Sequence, residues 1–105
     1  MIASVPIRAD VLARLATATD EILRLGVSRL ALFGSVQRET AGPDSDIDVL
    51  VEFQPGEKTY MHFFALGELL EERLSRRVEL VTPESLSPFV LQRVLTEAAD
   101  VIRAA

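Results

Sequence analysis

The sequence contains no cysteine and no tryptophan, one histidine (His62), one lysine (Lys58) and one tyrosine (Tyr60) among 105 residues. Without cysteine, disulfides, thiolate metal sites and cysteine nucleophiles are all excluded. A single histidine cannot build a histidine metal cluster, and His62, flanked by Phe63 and Phe64, reads as a structural residue on an apolar helix. No apolar run approaches the eighteen or so residues that span a bilayer. The opening MIASVPIRAD lacks a basic region leading into an apolar core, so the expectation is a cytoplasmic protein without a membrane role. Positive charge is also short: ten arginines and the one lysine face 16 acidic residues, for a formal net charge of −5. That balance disfavours a sequence-independent grip on nucleic acid, which needs basic surface to displace counterions. What remains is globular composition, 49% hydrophobic and 26% charged, in a length that argues for one domain over residues 1–105.

The chemistry is concentrated in Leu30 to Phe53, LALFGSVQRETAGPDSDIDVLVEF. An apolar strand runs into Gly34-Ser35, a ten-residue polar loop (36–45) follows, and a second strand opens with Asp46-Ile47-Asp48. Residues two apart on a strand share a face, so Asp46 and Asp48 project together while Ile47, Val49 and Val51 point the other way. Two carboxylates on one face repel unless a cation sits between them. In a site facing phosphates that cation is commonly Mg²⁺, a hard ion that takes carboxylate oxygens and leaves room for substrate oxygens. Gly34 has no Cβ to hold a phosphate off the backbone, and a short helix starting at Ser35 would turn free N–H groups toward an anion. The cluster Asp44-Ser45-Asp46 also allows a simpler reading, an Asx-type turn with Asp44 in that role. Counting from Asp44, an EF-hand fails at Val49 and Pro55, where glycine and glutamate are required.

Gly-Ser, ten residues, Asp-x-Asp resembles the motif of the minimal nucleotidyltransferases, the small branch of the polymerase-beta-like superfamily, and the resemblance runs over roughly residues 25 to 102. It implies an α/β (α+β) domain with a small mixed sheet, helices packed on it and the acidic residues at one end. It further implies that Gly34 and Ser35 hold the outer phosphates of ATP, with Arg38 near them, and that Asp46 and Asp48 bind Mg²⁺. The family's third carboxylate lies on the next strand and is usually Asp; here that position is Glu79, one methylene longer. A glutamate at the sheet edge, paired with Arg76 or Arg77, is the alternative for Glu79. Small members resemble antitoxins that adenylylate a tyrosine of a HEPN-type ribonuclease toxin, so the resemblance implies AMP transfer within a hetero-oligomer. Two other readings stay open: a catalytically impaired binding module that neutralises its partner by complex formation, and transfer to a small molecule.

Around this centre the pattern predicts a helix over Pro6–Leu25, with Val11, Leu15, Ala18, Ile22 and Leu25 on one face and Leu12 and Leu23 off it as a candidate partner surface. Gly26 supplies its stop, and Arg29–Phe33 reads as a strand buried on both faces. A second helix over Thr59–Arg73 has Thr59 as cap and Phe63, Leu66, Leu70 and Leu74 as its buried stripe. Arg77–Val81 is a third strand. Pro88–Glu97 is a helix with Ser87 as cap and Val90, Leu91, Val94 and Leu95 as core, and Asp100–Ala105 adds a short strand through Val101 and Ile102.

Overall fold

The computed structural model describes residues 5–104. Four strands form one mixed sheet: β1 (Val27–Phe33), β2 (Ile47–Phe53), β3 (Val78–Val81) and β4 (Ala99–Arg103), in the order β3-β2-β1-β4. β1 is antiparallel to both β2 and β4, while β2 and β3 run parallel. A parallel pair needs a crossover, and the helix α4 (Tyr60–Leu74) provides it.

The sheet's two faces follow from the alternation in β2. Ile47, Val49 and Val51 join Leu30 and Leu32 of β1 in the larger core, against Val11 and Leu15 of α1 (Arg8–Thr17), Ile22 of α2 (Thr19–Arg24) and Leu66, Leu70 and Leu74 of α4. Leu15, Ile22, Leu66 and Leu70 are fully buried. Each such side chain contributes roughly 1.5–3 kcal/mol of burial. On the other face, Ala31 and Leu50 pack against Val94 of α5 (Pro88–Glu97). Asp48 alternates onto this second, thinner face.

Several predicted elements need correction. The first helix is two helices, because the chain breaks at Ala18 (φ −99°, ψ 9°), yet the buried stripe Val11, Leu15, Ala18, Ile22 continues across the break. Leu12 packs against the core, and Leu23 is 39% exposed. Leu23 is thus among the exposed apolar side chains, though Tyr60, Met61 and Phe64 at the start of α4, Phe89 on α5 and Ile7 before α1 are more exposed. α5 has the predicted bounds and Ser87 cap, but of its four expected core residues Val94 alone is buried, while Val90 and Leu95 are exposed. The reason is geometric: α5 covers a narrow strip of the second face and touches it along a single ridge. In the loop after β1, Ser45 and Gly42 close a turn around Asp44, the Ser45 Oγ accepting the Gly42 N–H at 2.9 Å and the Ser45 N–H donating to the Gly42 carbonyl at 3.2 Å. Thr59 caps α4 as expected, its Oγ1 accepting from the His62 N–H at 3.1 Å. His62 Nδ1 lies 2.7 Å from the Glu57 carbonyl oxygen, a contact that fixes the turn before α4.

Candidate active site

β1 ends at Phe33, and Gly34 turns the chain into the four-residue helix α3 (Gly34–Gln37), one residue earlier than expected. Gly34 has φ +76°, the left-handed region where side chains are strained. A Cβ built on it would lie 2.0 Å from Asp48 Oδ2 and 2.8 Å from Asp48 Cγ. Glycine is therefore demanded twice, by the turn and by the carboxyl group against it. The sequence suggests close approach of a phosphate to Gly34; the group found there is Asp48.

Asp48 occupies the middle of the site. In register it faces Phe33 on β1 and Glu79 on β3, so the carboxyl groups of Asp48 and Glu79 stand side by side on neighbouring strands. Burial pushes the Asp48 pKa up to about 7, helped by a hydrogen bond to Glu79 and by the negative charges of Glu79 and Asp46, while Arg38 acts in the opposite sense. Asp48 near neutrality is thus a half-buried acid holding a proton against Glu79, and a group able to swap that proton for a cation. Asp46 precedes β2, which starts at Ile47, and Asp48 feels its charge. Among the described residues no three of His, Asp and Glu gather closely enough to cage an ion. The chemistry of the donor set nonetheless fits Mg²⁺, which takes one or two carboxylates and fills its octahedron with water and phosphate oxygens.

Ser35 is partly exposed, and its carbonyl oxygen accepts the Thr40 N–H at 2.8 Å, folding the loop back on α3. Arg38 Nη1 donates to both carboxylate oxygens of Glu97, at 3.1 and 3.0 Å, and Glu97 Oε1 also accepts the Gly34 N–H at 3.0 Å. Those donors hold the Glu97 carboxyl below its ordinary range, despite the opposing effect of burial. Sequence reasoning misses Glu97. A signal is present, because an acidic residue in the last turn of a helix opposes the helix dipole and calls for another partner. Arg76, considered as a partner of Glu79, donates to the carbonyl oxygens of Pro43 and Ser45 at 2.9 and 3.2 Å, fastening the loop that leads to Asp46.

Residues 12–101 match the family model described as a nucleotidyltransferase domain. The chain belongs to this family. Over 78 residues it is 40% identical to protein adenylyltransferase MntA of Thermococcus cleftensis, covering 74% of this chain and 78% of that one. Over 81 residues it is 41% identical to a Methanocaldococcus jannaschii protein assigned as a protein adenylyltransferase, covering 77% of this chain and 86% of the relative. Among solved structures, one described as a minimal nucleotidyltransferase superposes with a TM-score of 0.71 at 38% identity, over 88% of this chain and 89% of the other. A toxin–antitoxin structure with AMP-PNP superposes at 0.67 with 25% identity, over 85% of this chain and 73% of that chain. The four-stranded mixed sheet with its helices is thus the nucleotidyltransferase fold, and both relatives carry the name protein adenylyltransferase.

Proposed function

We propose that this nucleotidyltransferase moves AMP from ATP to a tyrosine hydroxyl of a HEPN-type ribonuclease partner, with Mg²⁺, and serves as that partner's antitoxin. The observation that carries the proposal is the pairing of Asp48 with Glu79 beside the Gly34 turn, a carboxylate pair placed where β1 hands the chain to a polar loop. Relatives named protein adenylyltransferase and the structural likeness to a toxin–antitoxin complex with AMP-PNP support the acceptor and the nucleotide.

In this reading two at a time of Asp46, Asp48 and Glu79 would hold Mg²⁺, which when bound would neutralise phosphate charge and lower the pKa of the attacking hydroxyl. Asp48, which near neutrality holds a proton against Glu79, would have to release it to act as a ligand. Gly34 and Ser35 line the phosphate side, and Arg38 supplies the positive charge of the loop. The partner oxygen attacks the α-phosphorus, the bond from that phosphorus to the bridging oxygen of the β-phosphate breaks, and pyrophosphate leaves. In this reading the acceptor hydroxyl belongs to the partner, in keeping with the relatives named protein adenylyltransferase.

The test is to incubate the protein with ATP, Mg²⁺ and the HEPN-type partner and to record intact masses. The partner should gain one or more increments of roughly 329 mass units, as expected for AMP added with loss of pyrophosphate. Asp48→Asn should block the gain without dissociating the complex. A complex that forms and silences the ribonuclease while the partner's mass stays constant replaces the transferase with a binding module. Transfer to a small molecule by the isolated chain moves the acceptor away from protein.

A further inference from the structure

Glu97 lies outside the acidic trio yet touches two of the groups assigned to phosphate. Its carboxylate receives the Gly34 N–H and Arg38 Nη1, and its backbone carbonyl accepts from Gln37 Nε2 at 3.2 Å. Gln37 in turn accepts from Arg8 Nε at 2.8 Å, so α1, α3 and the end of α5 are tied in one chain of hydrogen bonds. Arg38 uses a single nitrogen on Glu97, which leaves Nε and Nη2 without a protein acceptor among the described residues.

Two roles are compatible with a carboxylate in this place. It could be an internal anion that phosphate must expel, or a fixed clamp that shapes the loop for phosphate. Expulsion requires the carboxylate to release the Gly34 N–H and Arg38 Nη1 together, and the backbone that carries it is held in place. Val94, one turn earlier, is buried against Ala31 and Leu50, and the chain enters β4 at Ala99, two residues later. Glu97 is thus fastened between a core residue and a sheet strand, with its own carbonyl held as well. A carboxylate fixed on one edge of a guanidinium also orients the remaining edge, because the group is planar and its donors are rigidly forked.

We propose that Glu97 is a positioning residue for nucleotide binding: it clamps the Gly34 turn and aims the unused edge of Arg38 at the outer phosphates of the triphosphate. This rests on the nucleotide-binding reading of the site. Replacing Glu97 frees Arg38 to swing into solvent and unpins Gly34, so binding of the triphosphate weakens while the reacting centre at Asp48 and Glu79 is left in place.

The experiment compares wild type with Glu97→Gln, which keeps the shape, and Glu97→Asp, which keeps the charge on a shorter stem; equal melting temperatures establish that each is folded. In the free proteins, the Gly34 amide resonance should shift in both variants and its hydrogen exchange should quicken. In calorimetric titrations with Mg²⁺ present, AMP-PNP should bind about tenfold more weakly to Glu97→Gln, the scale of a single charge-assisted hydrogen bond, with Glu97→Asp in between. AMP, which lacks the outer phosphates, should change less than twofold. In the transfer assay the loss should fall on KM for ATP, with kcat within about threefold. Unchanged or tighter AMP-PNP binding in Glu97→Gln overturns the clamp, and tighter binding shows that the carboxylate competes with phosphate. A wild type that binds no AMP-PNP overturns the nucleotide reading and this role with it, whatever the Gly34 amide shows.

Discussion

At the scale of single residues, the site is a problem of fitting charge beside charge, and Gly34 and Asp48 show how it is solved. Gly34→Ala should cost about 2–4 kcal/mol in urea unfolding, because it adds a left-handed backbone penalty to a clash with the Asp48 carboxyl. Adding Asp48→Ala should recover the steric part and leave the backbone part. Asp48 itself makes stability depend on pH. Its folded pKa, near 7, lies above the value in the unfolded chain, so between roughly pH 4 and pH 7 the folded protein holds a proton the unfolded one has lost. Stability should fall as pH rises through that window and level off above it. The size should be about 1–2 kcal/mol, discounted because the carboxyl is half in solvent. Asp48→Asn should flatten the slope and leave the protein more stable at pH 8, which thermal melts across pH will show. Glu79→Gln should cut transfer strongly if the group ligates Mg²⁺, and Glu79→Asp should retain it; rates within twofold of wild type in both variants return Glu79 to the role of an edge residue. That Asp48 lies close to the Gly34 turn follows from a motif whose spacing is local, whereas Glu79 beside Asp48 is reached through the family resemblance. Glu97 is not legible in the sequence, since its partners lie some sixty positions away and only the packing of α5 brings them together.

At the scale of elements, alternation and capping decide most of the outcome. The strands, the crossover helix and the caps Thr59 and Ser87 can be read directly, since each depends on a few neighbouring residues. The face that α5 buries cannot be, because an amphipathic stripe says that a helix packs but not how wide a surface awaits it. Val94→Ala should therefore destabilise by about 1–2 kcal/mol, whereas Leu95→Ser, half in solvent, should change stability by less than about 0.5 kcal/mol. Chemical denaturation of the two variants makes the comparison. The break at Ala18 is hidden for a related reason: the apolar stripe runs through it unbroken, so periodicity carries no mark of the change in backbone.

At the scale of the whole molecule, the second face of the sheet is divided between two kinds of electrostatics. One end holds Asp48 against Glu79, where the charge of one carboxyl keeps a proton on the other, and the opposite end neutralises itself with arginine. Arg29, largely buried, donates to Asp100 at 2.7 Å and to Glu52 at 3.0 Å, and Arg103 joins Asp100 at 2.9 Å. Those contacts cross β2, β1 and β4, and Arg29→Ala should cost roughly 1–3 kcal/mol by stranding Glu52 and leaving Asp100 to Arg103 alone. It should leave the affinity for AMP-PNP unchanged, which separates stability from function in a single variant. The sheet order has one further result, for the history of each molecule as it is made. β1 carries the Gly34 turn in the interior of the sheet, flanked on one side by β4, which comes later in the chain than β1, β2 and β3, and Glu97 comes shortly before that strand. A growing chain on the ribosome can already contain Gly34, Asp46, Asp48 and Glu79 while β1 still has an open edge and the Gly34 turn has no clamp. The clamp on the Gly34 turn can then form only once β4 has closed over β1, after the residues around Asp48 have already been made.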